Sequence, residues 1–166
     1  MLLKDVVRAE KIVADWGRWQ SGKMPRSAFP LSMSRQNFYR LGAYRWKVIQ
    51  FAALGEAFRL LIALHEPKEQ FRAMLGMNAG GDTRFVASIE FHGTHPGWHA
   101  LLACDPLDTL PIGIKTGPWQ RRVPAARSHH RRTTFSITER TATAKAGSFF
   151  GLPAEGRSDG QREMDL

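Results

Sequence analysis

The chain holds a single cysteine, Cys104, among 166 residues. No internal disulfide can form, and a lone thiol fits a reducing compartment. No apolar run reaches the roughly 18 residues that a membrane-spanning helix needs. The opening Met1-Leu2-Leu3-Lys4-Asp5 lacks an apolar signal core and carries an acidic residue early. These absences exclude a disulfide framework and a helical membrane protein. The expectation is a cytoplasmic location with no membrane partner. No internal repeat and no heptad pattern is present. Gly80-Gly81 is not followed by lysine and serine at phosphate-loop spacing, so it reads as a turn. Nothing calls for a cofactor, and none is expected.

Acidic residues are absent from the whole stretch Thr109–Thr138, which contains Lys115, Arg121, Arg122, Arg127, Arg131 and Arg132. The net charge is +9 and the pI about 10.4. Such a balance favours polyanionic partners: nucleic acid, with RNA favoured, or an acidic protein surface. Lys115, Arg121, Arg122, Arg131 and Arg132 are the candidate phosphate contacts. Trp119 follows Gly117-Pro118 and has two readings. It can stack on a base beside the arginines, or it can plug the loop onto the core. The same region can equally be a solvated basic loop.

Hydrophobic residues make up 43% of the chain, enough for one core in a domain of this length. The expected fold is α+β, with one domain over residues 1–150 and a disordered polar tail over 151–166. Leu3, Val6, Val7, Val13 and Trp16 recur near helical spacing and predict an N-terminal helix over residues 2–16. Residues 17–43 are mixed, with Ser32 or Ser34 able to cap a short helix over 35–41. An antiparallel meander of four or five strands follows, then a basic proline-rich loop, then a short helix over 138–150.

The sheet rests on alternation of apolar and polar residues. Phe58, Leu60, Ile62 and Leu64 share one parity, as do Phe71, Ala73, Leu75 and Met77. Phe85, Ala87, Ile89 and Phe91 repeat it, and so do Trp98, Ala100, Leu102 and Cys104. Period two over successive segments marks half-buried strands. The breaks at 66–69, 78–82 and 93–97 carry turn residues and predict hairpins. A strand over 44–52 is also predicted, although Tyr44, Val48 and Phe51 fit a helix as well.

Keeping apolar residues on one face constrains the register. Pairing Leu64 with Ala73, Ala73 with Ile89, and Phe91 with Trp98 sets His65, Arg72, Glu90 and His99 in a row, with His92 one pleat along. Strands lie ~4.8 Å apart, so the row spans about one nucleotide. Cleavage of RNA by its own 2′-hydroxyl needs a base, an acid and a cation, which a glutamate or histidine, a second histidine and an arginine can supply. A helix followed by an antiparallel sheet bearing these residues resembles, in layout alone, the metal-independent microbial ribonucleases and their toxin relatives. Glu90, His92, His99, Arg72 and His65 are therefore the candidate catalytic set.

Other readings stay open. The face can be an ordinary solvated surface with Arg72 and Glu90 as a cross-strand ion pair. His92, His95 and His99 can hold zinc, though their spacing matches no standard motif. The whole protein can be a non-catalytic interaction module, an inhibitor or an assembly subunit, whose basic loop docks on an acidic partner.

Overall fold

The computed structural model describes residues 1–25, 27–29, 44–93, 97–125 and 136–156. The chain begins with helix α1 (Leu3–Arg8) and continues through β1 (Ile12–Asp15), β2 (Gln20–Ser21) and β3 (Arg45–Ala53). The central strands are β4 (Glu56–His65), β5 (Gln70–Ala79) and β6 (Asp82–Phe91). They are followed by β7 (Trp98–Ala103), β8 (Gln120–Val123) and helix α2 (Glu139–Phe150). The strands form one antiparallel sheet in the order β1-β3-β4-β5-β6-β7-β8, with β2 pairing beside β1 along β3. Among the described residues no helix is long and apolar enough to cross a membrane.

The fold is α+β with a short helix at each end, as expected, but the sheet exceeds four or five strands. The additional strands β1, β2 and β8 are edge strands of two to four residues. Such lengths are too short for a period-two pattern to register. The helix predicted over residues 2–16 stops at Arg8. Beyond it, β-branched Ile12 and Val13 pair with Ala52 and Phe51 instead. The buried Lys11 ammonium closes the helix by donating to the carbonyls of Val6, Val7 and Ala9 at 2.7, 3.0 and 2.8 Å. Burial pushes its pKa below the ordinary lysine value.

Helix α2 starts where the sequence places it. Thr138 caps it, its hydroxyl accepting from the Thr141 amide at 3.2 Å. Gly151 ends it at φ 70°, against the last turn of α1. A Cβ there would sit 2.1 Å from the Val7 carbonyl oxygen, so only glycine fits.

The main core lies between one sheet face and the two helices. Ile62, Leu64, Phe71, Leu75, Ile89 and Phe91 meet Val6, Ala142, Ala146 and Phe150 there. Trp98 and Leu102 are partly buried against it. Phe85 is not with them. A bulge shifts the register between Leu75 and Gly76, pairing Gly76 with Phe85 and turning that phenyl ring to the opposite face. Cys104 was expected to point inward, but β7 ends at Ala103 and the thiol is exposed.

The opposite face was expected to be polar, and about half of it is not. Trp46, Val48, Leu61, Ala63, Met74 and Phe85 form a second apolar cluster, covered by Met24 and Phe29. Gly76 permits this cover, because a Cβ there would lie 3.1 Å from the Phe29 ring. Polar residues flank this cluster: Arg59, whose Nη1 donates to the Ser27 carbonyl at 2.6 Å, lies at one end of the face and Arg72 and Glu90 at the other. The predicted helix over 35–41, His95, Arg131, Arg132 and the tail from 157 lie outside the described residues. From the remaining tail, Leu152 is buried in the core.

Candidate active site

Three strands bring the polar cluster together. Arg72 on β5 pairs with Glu90 on β6, and Glu90 pairs with His99 on β7. This is the register expected from sequence, one of those, two residues apart, that apolar parity allows. His92 lies one pleat beyond Glu90 on the same side. The other three side chains converge on a single atom, Glu90 Oε2. Arg72 Nη2 lies 2.7 Å from it, and the Nε2 atoms of His92 and His99 each lie 3.3 Å away. The imidazole rings run nearly parallel, 10° apart with centroids at 5.4 Å.

Glu90 is the most enclosed member of the group, with 14% of its side chain exposed, against 31% for His92. Burial by itself raises the carboxyl pKa. The hydrogen bond with His92, the charge and hydrogen bond of Arg72, and the charge of His99 outweigh it and hold Glu90 at about 2. A carboxylate this acidic accepts a proton poorly near neutrality. Its chemistry is therefore electrostatic: it stays ionised and orients both imidazoles.

That shift carries a stability consequence. The folded-state pKa of about 2 lies below the ordinary 4.5. Glu90 ionisation therefore stabilises the fold above pH 4.5, and the stabilisation is lost as pH falls toward 2. At ~1.4 kcal/mol per pKa unit its size is about 3 kcal/mol. Denaturant unfolding of Glu90→Gln beside the unsubstituted protein should show their stability difference shrinking between pH 5 and pH 2. Parallel stability curves across that range would refute the assignment.

His65 does not join the row. Its pairing partner is Gln70, because β4 continues to Leu64 opposite Phe71 rather than Ala73. The cause is the turn, where a 3-10 segment over Glu66–Lys68 and a left-handed Glu69 close the hairpin directly between His65 and Gln70. His65 is buried, and its Nδ1 accepts the Lys68 amide at 3.2 Å. The Tyr44 ring packs against it in a T-shaped contact, centroids 5.0 Å apart. Tyr44 in turn donates its hydroxyl to Gln70 Oε1. The sequence reading missed Tyr44 and Gln70. Strand parity could have found Gln70, which stands two residues before Arg72 on the same face.

The basic residues are distributed unevenly. Arg122 pairs with Leu101, which shares the face of His99, so Arg122 belongs to the site's side. Its Nη1 donates to the Pro124 carbonyl at 2.9 Å. Arg121 pairs with Leu102, on the opposite side, and is exposed. Lys115 is exposed in the preceding loop. Trp119 is partly buried against the main core, its ring filling the space above Gly117.

Among the described residues, Glu90, His92 and His99 are a group whose donor atoms could hold a metal ion, all within 4.8 Å of one another. Two imidazoles and a carboxylate suit zinc or iron. The Arg72 guanidinium, 2.7 Å from Oε2 of the same carboxylate, opposes that use. The same cation suits an incoming phosphate. Comparison with protein-family models, curated proteins and solved structures finds no match for this chain.

Proposed function

We propose that the protein binds RNA and cleaves it by metal-independent transesterification at the Arg72–Glu90–His92–His99 cluster. The observation that carries this reading is the convergence of a guanidinium and two imidazoles on one half-buried carboxylate oxygen. One imidazole takes the proton of the 2′-hydroxyl. The 2′-oxygen bonds to phosphorus, and the bond from phosphorus to the 5′-oxygen breaks. The second imidazole, protonated, gives its proton to that leaving oxygen. Arg72 neutralises charge on the pentavalent phosphate. Glu90 is a positioning residue, holding both rings and the guanidinium. The excess positive charge of the chain, +9, supports a polyanionic substrate.

The experiment is product analysis on RNA and DNA strands of the same sequence. RNA should be cut to fragments ending in 2′,3′-cyclic phosphate and 5′-hydroxyl, while DNA, lacking the nucleophile, stays whole. Cleavage of DNA, or RNA ends bearing 5′-phosphate, would contradict the mechanism.

Binding should involve the basic segment. Neutralising Arg121 and Arg122 together is expected to weaken RNA binding at low salt. The log–log salt slope should flatten by about 1.4, at roughly 0.7 per lost phosphate contact on a single strand. An unchanged slope in a salt titration would exclude both positions.

A further inference from the structure

Beside the phosphate-directed cluster lies a second group of polar residues that the cleavage chemistry does not use. Tyr44 directly precedes β3, His65 ends β4 and Gln70 begins β5. The register places His65 against Gln70, and the Phe71–Phe91 pair brings Gln70 and His92 to the same end of the face. Gln70 stands two residues from Arg72 along β5, a separation of ~6.5–7 Å. Ligand groups held by the two side chains would therefore be close neighbours.

The local contacts fix this second group. His65 is locked by the Lys68 amide at its Nδ1. Its ring braces Tyr44 in a T-shaped contact at 5.0 Å and 76°. The Tyr44 hydroxyl occupies Gln70 Oε1, which sets the amide orientation. The remaining polar end of Gln70 is its NH2 group, which can donate twice and cannot accept. Tyr44 contributes an aromatic ring held by the His65 ring and, through its hydroxyl, by Gln70. Both residues are half-buried. An aromatic ring and an amide donor set beside a phosphate clamp suit a planar heterocycle carrying a carbonyl oxygen.

We infer that Tyr44 and Gln70 form a nucleobase subsite for this reaction, with His65 as the positioning residue behind them. The inference rests on the RNA reading above and deepens it. It selects among bases: the Gln70 NH2 donates to the carbonyl of uracil or guanine, whereas adenine has no carbonyl to receive it. The site should therefore favour uridine over adenosine next to the scissile phosphate.

The test is binding of three probes to the unmodified protein and to Gln70→Ala and Tyr44→Leu, followed by calorimetry or nuclear magnetic resonance titration. The probes are uridine 3′-monophosphate, adenosine 3′-monophosphate and ribose phosphate. The unmodified protein should bind the uridine nucleotide about five- to tenfold tighter than the adenosine nucleotide, the worth of one net hydrogen bond. Gln70→Ala should bind the two nucleotides equally, with ribose phosphate affinity unchanged. Tyr44→Leu should weaken both nucleotides toward ribose phosphate. Equal affinity of the unmodified protein for all three probes overturns the subsite while leaving the phosphate cluster standing. Base preference without any RNA cleavage overturns the catalytic reading and keeps the subsite. A preference that survives in Gln70→Ala removes that residue's role, and failure to bind any probe overturns both readings.

Discussion

Replacing His99 with alanine is expected to slow RNA cleavage by about 10²–10⁴-fold, the usual worth of a general acid or base. The fold should persist. His99 lies on the outer face, and Glu90 keeps Arg72 and His92 as partners when His99 is removed. His92→Ala should produce a loss of the same order. The double variant should lose little more than either single one, because acid and base act as a unit. Single-turnover rates together with thermal unfolding separate chemistry from stability. An active, folded His99→Ala would remove His99 from the reaction. Should that variant unfold, His92→Ala, at a more exposed position, still decides whether the histidines carry the chemistry.

Phe91→Ala should have the largest effect on stability. Phe91 is fully buried, and its ring packs at 4.9 Å from the Trp98 ring. Deleting a buried phenyl group costs about 3–5 kcal/mol through lost transfer energy and the cavity left behind. Domain stabilities run to only about 5–15 kcal/mol, so the variant should be close to unfolded at room temperature. Its neighbour His92 faces the other way. The two adjacent alanine substitutions should thus separate cleanly, one abolishing folding and the other cleavage. Denaturant melts place the result, and a Phe91→Ala protein within about 1 kcal/mol of the parent would contradict the core assignment.

The parts of this arrangement that could be read from sequence are those governed by strand parity. Arg72, Glu90 and His99 fall opposite one another because Ala73, Ile89, Phe91 and Trp98 must share the buried side. His65 was misplaced by one pleat, since parity tolerates a two-residue slip and only the turn over Glu66–Glu69 decides it. Phe85 was placed on the wrong face because the bulge beside Gly76 reverses parity locally. Alternation in one strand carries no sign of such an insertion. The second apolar cluster was hidden for another reason. Leu61, Ala63 and Met74 break the polar half of the pattern, yet what covers them, Met24 and Phe29, comes from a segment without periodicity. The role of Glu90 also changed in kind. Sequence offers it as a base, whereas the hydrogen bond with His92 and the charge of Arg72 outweigh burial and keep it an anion.

Assigning proton transfer to two histidines around that anion leads directly to one measurement: the rate of RNA cleavage by the purified protein from pH 5 to pH 9, with and without a strong chelator. A bell-shaped profile with both limbs near neutrality, unaffected by chelator, is the expected result. Cleavage that chelator abolishes would transfer the site to a metal held by Glu90, His92 and His99. No cleavage at any pH in that range would contradict the enzymatic reading and leave a basic binding module on the same sheet.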